Sequence, residues 1–527
     1  SGSGSGSGSG SSGSSSFAYA NNKLSAGSDH TCAILDNGDL KCWGYDAYGQ
    51  LGDGFANGDW YVSTNQPSST PVNLGSGRTA VAVSAGQWNT CAILDNGELK
   101  CWGYDFYGQL GNGGSSSSHN HNSRSYSPGS PINLGTNRTA VAVSVSHGGS
   151  HTCAILDNGD LKCWGRDYSG QLGDGGPAWT STNPTNLYAP SSTAIDLGSG
   201  RTAVAVSAGG SHTCAILDNG DLKCWGSDEY GQLGDGGTNH TGYGRTDTNA
   251  PNSTAIDLGA GRTAVAVSAY AQHTCAILDN GDLKCWGRNR DGQLGDGSNT
   301  DSTAPPSTAI NLGSGRTAVA LSGDYDYTCA ILDNGDVKCW GNDGDGTLGD
   351  GGSGVNTNAP SSTAINLSTG RTAVAVAAGS SHACALLDNG SMMCWGRGEA
   401  LGLGSGYTSS RYYSPVFVSG NNSWNSSTGA SSGSGSGSGG GMTDVTGATC
   451  TVSPALPTGL SIDSSTCTIS GTPTVETSNT TYTVTANISG TTYQGTVWLA
   501  TVPFGTITSP VMGAELDLGE AMTPITL

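Results

Sequence analysis

The stretch HTCAILDNGDLKCWG, residues 30 to 44, returns in close copy six more times, and no other feature of the sequence restricts the fold so tightly. In each copy an apolar run enters Asp-Asn-Gly and a second run leaves it, which spells a β-hairpin. Take Asp36, Asn37 and Gly38 as a three-residue loop with Gly38 at the left-handed position that a Cβ disfavours. Leu35 then pairs with Asp39, and Cys32 falls opposite Cys42. A two-residue Asn-Gly loop would leave the cysteines one residue out of register. Opposed residues in a non-hydrogen-bonded antiparallel pair have Cα atoms about 4.5 Å apart, within disulfide reach. The register predicts seven intra-hairpin disulfides: Cys32 with Cys42, Cys91 with Cys101, Cys153 with Cys163, Cys214 with Cys224, Cys275 with Cys285, Cys329 with Cys339, and Cys384 with Cys394. Each closes the same short loop, for which the chain-entropy model gives roughly 2 to 3 kcal/mol.

Sixteen cysteines in even, regular pairs point to an oxidising compartment, and so to an extracellular or cell-surface protein. Zinc is the competing reading, because His30, His151, His212, His273 and His382 sit two residues before the first Cys of five copies. In the other two copies that position is Asn89 or Tyr327, and both cysteines remain. A site needing four ligands does not lose one and keep its thiolates, so a disulfide beside a packed histidine is expected, with no metal and no cofactor. The formal net charge of -21 argues against nucleic acid or an anionic membrane as partner and suits solubility in salty surroundings. No apolar run approaches the ~20 residues that span a bilayer, so no membrane insertion is expected. The sequence opens without Met and without a signal peptide, as a mature or excised segment of an exported precursor would.

Residues 1–16 are a Gly/Ser-rich flexible segment, and the repeats follow over residues 17–420. Successive first cysteines are 59, 62, 61, 61, 54 and 55 residues apart, a period suited to a four-stranded propeller blade with generous loops. Each repeat offers an inner strand such as Ala80 to Ala85, the two hairpin strands, and a short outer strand such as Pro71 to Leu74. Outer candidates recur at Pro131 to Leu134, Ala194 to Leu197, Ala255 to Leu258, Ala309 to Leu312 and Ala364 to Leu367. The end blades take Phe17 to Leu24 as inner strand and Pro415 to Val418 as outer strand, so the ring closes between first and last blades without borrowing a strand.

This order of inner strand, H-T-C-A-I-L-D-N-G-D-L-K-C-W-G and then Y-G-Q-L-G-D-G (Tyr48 to Gly54, Tyr230 to Gly236) resembles the repeat of the regulator of chromosome condensation family of seven-bladed propellers. The resemblance covers about three quarters of the chain, and the paired cysteines mark an exported variety. The nucleotide-exchange role of the family's best-known member depends on surface loops that do not map onto this chain, and the family includes secreted members that only bind proteins.

Recurring residues are expected to be structural. Trp43, Trp102, Trp164, Trp225, Trp286, Trp340 and Trp395 pack between blades. Arg78, Arg138, Arg201, Arg262, Arg316 and Arg371 bond nearby carbonyls at blade junctions. Asp53, Asp174, Asp235, Asp296 and Asp350 of LGDG cap turns rather than hold calcium, since Asn112 replaces the Asp in blade two and blade seven lacks it. What varies is the connection after LGDG. It is long in blades one to four and carries the candidate binding residues Trp60, Tyr61, Tyr126, Trp179, Tyr188 and Tyr243, together with His119, His121 and Arg245. Insertions at one place in every repeat emerge on one face, and such aromatics among Ser, Asn and Gly suit contact with a glycan or a protein, or simply pack their own loops.

Residues 421–441 form a second Gly/Ser-rich linker. Residues 442–503 alternate with period two between Pro and Gly turns and read as a small β-sandwich. P-A-L-P-T-G-L-S-I-D with I-S-G-T-P is similar to immunoglobulin-like modules found in tandem on microbial surface proteins, and Cys450 with Cys467 is the eighth expected disulfide. Such modules usually open with a strand of the kind seen here only at the end, in residues 504–527, with Glu515, Leu516, Leu518, Met522, Ile525 and Leu527 as the assembly strand. That strand could fold back on its own module, begin a following module, or insert into the next molecule as a donor strand, which propagates head to tail into a homopolymer.

The fold class is therefore all-β, a seven-bladed propeller of four-stranded blades plus an Ig-like sandwich. There is no nucleophile elbow, no phosphate-cradling loop and no carboxylate pair standing apart from the repeat, so no catalytic residue is named and no enzyme is expected. The sequence reads as a non-enzymatic extracellular structural or adhesive protein, a subunit of a filament or surface assembly joined through the Ig-like module. The alternative is a monomeric secreted module that binds a protein or glycan through the propeller's loop face.

Overall fold

The computed structural model describes residues 23–54, 63–64, 66–114, 124–176, 186–238, 249–352, 354–398, 411–418, 449–453, 455–456, 460–462, 469–471, 477–488 and 491–501. The chain divides into two compact units, Ser1–Ser426 and Ser427–Leu527.

The first unit holds seven antiparallel sheets, one per repeat. Blade two shows the pattern: inner strand Ala80–Ala85, second strand Asn89–Leu94, third strand Leu99–Tyr104. The hairpin closes through Leu35 N–H to Asp39 C=O at 2.8 Å and Gly38 N–H to Leu35 C=O at 2.9 Å, with Gly38 at φ 81°. The three-residue loop thus sets the register, and Cys32 lies opposite Cys42. All seven hairpin disulfides are present, six with Cα atoms 4.1 Å apart and Cys384–Cys394 at 4.0 Å. Cys450 lies in the strand Thr449–Ser453, while Cys467 and with it the expected eighth bridge lie outside the described residues.

The core is not inside blades but between them. One cluster joins Cys32, Cys42, Ile34 and Leu40 of blade one to Ala80, Val83, Leu94 and Trp102 of blade two, and the pattern travels round the ring. Each of the seven repeat tryptophans is fully buried. Trp102 Nε1–H donates to Gln50 C=O of the preceding blade at 3.0 Å, and its indole lies against Gly52, where a Cβ would come within 2.6 Å of Nε1. Serines sew the inner strands together: Val145 N–H donates to Ser84 Oγ and Ala208 N–H to Ser144 Oγ, each at 2.9 Å. Blade seven meets blade one through Trp43, Leu24, Cys384 and Cys394 in one cluster and through Thr31 Oγ1 with His382 Nε2 at 2.8 Å.

Three expectations need correction. The inner strand of blade one is Leu24–Ala26; residues 17–22 are outside the described set. The proposed outer strands are not strands. Val72 N–H donates to Leu40 C=O of blade one, while Leu74 C=O accepts from Lys100 Nζ of blade two at 3.0 Å, so the segment straps two blades. Lys162, Lys223, Lys284 and Lys338 repeat that bond to Leu134, Leu197, Leu258 and Leu312. The alternation of Pro71 to Leu74 reflects burial of Val72 and Leu74 between blades, not pairing along an edge. Fourth strands lie earlier, at Ser63–Thr64 and Arg124–Ser125, and shrink to single bridges at Leu187, Ser302 and Thr357. Blade seven alone among the described blades has a long one, Arg411–Phe417, overlapping the expected Pro415 to Val418. Last, the six repeat arginines do not seek carbonyls. Each pairs with the first residue of its own hairpin loop, as in Arg78–Asp95 at 3.5 Å and Arg201–Asp218 at 3.2 Å, with the same pairing for Arg138, Arg262, Arg316 and Arg371.

In the second unit, Thr449–Ser453, Thr477–Ile488 and Thr491–Thr501 form one sheet in that order, and Leu460–Ile462 pairs with Ile469–Gly471.

Candidate binding face

At the end of every third strand the chain must turn sharply. Gly44 sits at φ 114°, and a Cβ there would lie 2.5 Å from Asp29 C=O, so the Trp-Gly step is obligatory. The next residue is thrown onto one end of the propeller, and its N–H donates to the residue before the second strand: Tyr45 to Asp29, Tyr104 to Trp88, Arg166 to Ser150, Arg288 to Gln272. A buried carboxylate then locks the following loop. Asp46 Oδ1 accepts Leu51 N–H at 2.9 Å, and Gln50 Oε1 accepts Tyr48 N–H at 3.0 Å. Burial pushes the Asp46 and Asp167 carboxyls up to about 7 and that of Asp105 to about 6. The fixed frame holds variable side chains in place.

Those side chains form a continuous aromatic arc. Tyr48 packs at 5.1 Å from Trp88 and 5.0 Å from Tyr104; Trp88 meets Tyr104 edge-on at 5.2 Å; Phe106 meets Tyr107 at 4.9 Å. Arginines lie on the rings: Arg124 over Tyr48 at 5.1 Å, Arg166 at 5.0 Å from both Tyr107 and Tyr168, and Arg288 over Tyr230 at 5.7 Å. All are partly exposed. These residues escape a motif search because they are the positions that differ between otherwise identical repeats. Aligning the copies and reading the variable columns would have found them.

The central channel opens on the same end, and its mouth is built from turns that depart from the repeat. Blade three is longer there, and Gly149, at φ 61°, packs against Gln87 of blade two. His147 is thereby aimed across the ring, with Nδ1 3.5 Å from Oδ1 of the fully buried Asp324 of blade six. Ser380 Oγ of blade seven donates to Asp324 Oδ2 at 2.7 Å. Tyr270 of blade five fills the space beside His147 and His273. The carboxylate stands between serine and histidine, so the three side chains tie blades three, six and seven together across the channel mouth.

The repeat histidines form a second ring. His30 Nε2 lies 2.9 Å from Thr90 Oγ1 of the next blade, and Thr90 Oγ1 donates to Gln50 C=O at 2.8 Å. The threonine proton being used, the ring proton belongs on Nε2. His151, His212 and His273 repeat the bond. All five histidines are fully buried, and burial drops four of them to about 3 and His382 to about 4, so they are neutral. Where Tyr327 replaces His, Ala383 replaces the threonine, and the phenol reaches Gly379 C=O at 2.7 Å instead. Among the described residues no cluster of His, Cys, Asp and Glu could hold a metal. The LGDG residues cap turns, as Asp174 Oδ1 does for Gly176 N–H at 2.8 Å and Asn112 for Gly114.

Of the expected binding residues, Tyr126 and Tyr188 are half-buried straps: their carbonyls accept Gly54 N–H and Gly113 N–H of the preceding blade, both at 2.8 Å. Asn249, Thr303 and Asn358 do the same elsewhere, so a tyrosine is not required for that role. Trp60, Tyr61, Trp179 and Tyr243, and the assembly strand Glu515, Leu516, Leu518, Met522, Ile525 and Leu527, lie outside the described residues.

Seven like sheets closed by inter-blade cores define a seven-bladed β-propeller with a separate Ig-like unit. Its repeats are those of a known family. The RCC1-like domain model matches residues 114–437, more than half of the chain, and the regulator of chromosome condensation (RCC1) repeat matches 22–50 and 80–109. The chain belongs to the RCC1-like family. The He_PIG model of an Ig domain matches residues 414–502. The chain is 29% identical over 395 residues to the ultraviolet-B receptor UVR8 of Arabidopsis thaliana, covering 75% of this chain and 80% of that protein. It is 26% identical over 333 residues to the human E3 ubiquitin-protein ligase HERC2, covering 62% of this chain but only 6% of the ligase. Among solved structures, yeast RCC1 (Prp20) superposes with a TM-score of 0.61 at 19% identity, covering 77% of this chain and 87% of that one. Human WBSCR16 superposes with a TM-score of 0.58 at 21% identity, covering 72% and 92%. These likenesses to solved structures establish the fold.

Proposed function

We propose that the chain is a non-catalytic, exported binding protein whose propeller recognises its partner through the aromatic arc. The observation that carries this reading is the contrast between a rigid, repeated frame and a set of partly exposed Tyr, Trp and Arg side chains confined to its variable positions. Rings held by neighbours lose little entropy on binding, which is what makes such residues effective contacts. Seven hairpin disulfides support an oxidising location. The test is equilibrium binding to panels of immobilised extracellular glycans and proteins, comparing the native chain with a variant carrying Tyr48→Ser, Trp88→Ser and Tyr107→Ser. Loss of binding with an unchanged melting temperature is expected; full retention would move recognition off this face.

A second reading, that the Ig-like module joins copies into a filament, draws on the strand Thr491–Thr501. It pairs with Thr477–Ile488 on one side, and among the described residues nothing pairs with its other edge. An open edge of that length is a template for a donated strand, and residues 504–527 are the natural donor. Deleting residues 505–527 should abolish polymers seen by electron microscopy; polymers that persist would end the idea.

A further inference from the structure

We infer that the ligand of the aromatic face is a glycan bearing spaced carboxylates, a uronate-containing oligosaccharide; this rests on the face being the recognition surface. The reasoning starts from where the cations go. The protein has 20 Lys and Arg against 41 Asp and Glu. Five repeat lysines are consumed by leucine carbonyls and six repeat arginines by hairpin aspartates at the far end of the blades. Arg124, Arg166, Arg288 and Arg290, which do not belong to the repeat, instead gather at the aromatic end.

Arg166 and Arg290 are the informative pair. Arg166 is held between two tyrosines, and Arg290 lies 5.9 Å from the Tyr230 centroid, yet among the described residues neither pairs with a carboxylate. Arg288, by contrast, is already engaged by Gln272 Oε1 at 2.6 Å and Asp326 at 3.7 Å. A guanidinium stacked on a ring keeps its N–H edge directed outward, and that edge fits a carboxylate bidentately. The face asks for an anion.

Its apolar chemistry selects the carrier. The exposed aliphatic side chains of blades two to five, Val81, Val141, Val204 and Val265, begin the inner strands and so lie at the opposite end. On blades one to five the aromatic end shows no exposed Val, Leu, Ile or Met among the described residues. An aliphatic protein segment would find rings there but no aliphatic counterpart. Rings, hydroxyls and guanidinium groups instead match a pyranose, whose C–H face stacks on an aromatic and whose edge is all hydroxyl. A dense polyanion is disfavoured by the net charge of -21 and by Asp326 beside Arg288, so carboxylates separated by neutral sugars fit best.

The test is titration calorimetry of the full chain with oligosaccharides of alternating uronate and neutral sugar, their carboxyl-reduced counterparts, and polyglutamate. Binding of the uronate forms is expected, weakened roughly tenfold or more by carboxyl reduction and by Arg166→Ala or Arg290→Ala, with melting unchanged. Equal affinity for reduced and native sugars, or indifference to both substitutions, overturns the inference. Binding of polyglutamate but no sugar, lost in the two arginine variants, also overturns it while leaving the binding face intact. If no uronate oligosaccharide binds at all, the inference is likewise refuted.

Discussion

Replacing His212 by Asn should change not merely how stable the propeller is but how its stability depends on pH. His212 is fully buried, and burial alone lowers its basicity from 6.5 to about 3. A base whose folded value is depressed contributes stability that is complete above its unfolded pKa and is lost as pH falls from 6.5 towards 3, because only the unfolded chain takes up the proton. At pH 5 the gap is about 1.5 units, worth about 2 kcal/mol. At pH 7.5 the substitution removes the Nε2–H to Thr274 Oγ1 bond, 2.9 Å long, costing about 1 kcal/mol or somewhat more. Thr274 still donates to Gln232 C=O, so the loss stops there. The variant should therefore be the weaker protein at pH 7.5 and equal or stronger at pH 5. Urea titrations at both values, followed through the buried tryptophans, measure the difference. Two parallel pH profiles would refute the reasoning, since they would mean His212 is protonated as readily in the folded state as in the unfolded one.

Asp46 has the opposite sign. Its folded carboxyl is raised to about 7, so the stability it contributes is present at low pH and lost as pH rises through that value. Blade five already uses Asn289 to accept Leu294 N–H at 2.9 Å, so Asp46→Asn should stabilise by roughly 2 to 3 kcal/mol more at pH 8 than at pH 5; a calorimetric gain at pH 8 no larger than that at pH 5 would contradict this. Trp225→Ala should cost about 3 to 5 kcal/mol, because it empties an inter-blade core and leaves Gln171 C=O with one donor fewer; a loss below about 1 kcal/mol in urea would show that the blades are not held by these cores. Cys214→Ser with Cys224→Ser should cost roughly 2 to 3 kcal/mol, and an unchanged melting temperature would mean the hairpin loop alone supplies the constraint.

Legibility followed range. The hairpin register could be read from Asp36, Asn37 and Gly38 because the loop and the paired cysteines lie within a sequence separation of 10. The burial of the tryptophans followed from their recurrence at a fixed step after a disulfide. The outer strand was misplaced for the converse reason: alternation in Pro71 to Leu74 reports burial, and whether a buried edge is a strand or a strap depends on what lies on its other side. The arginines were misread likewise, since Asp95 comes within reach of Arg78 only when the inner strand and the hairpin lie side by side.

By itself, then, the sequence determined the hairpin, its covalent closure, the number of blades and the packing of a histidine beside the disulfide in five of them, all consequences of short-range chemistry repeated along the chain. Only the tertiary structure decided which residues share the aromatic end. Tyr48, Trp88 and Tyr104 come from two blades, Arg166 from a third, and His147 reaches Asp324 across the ring. A repeat fixes where each blade's variable positions point, but their neighbours are set by closure of the ring.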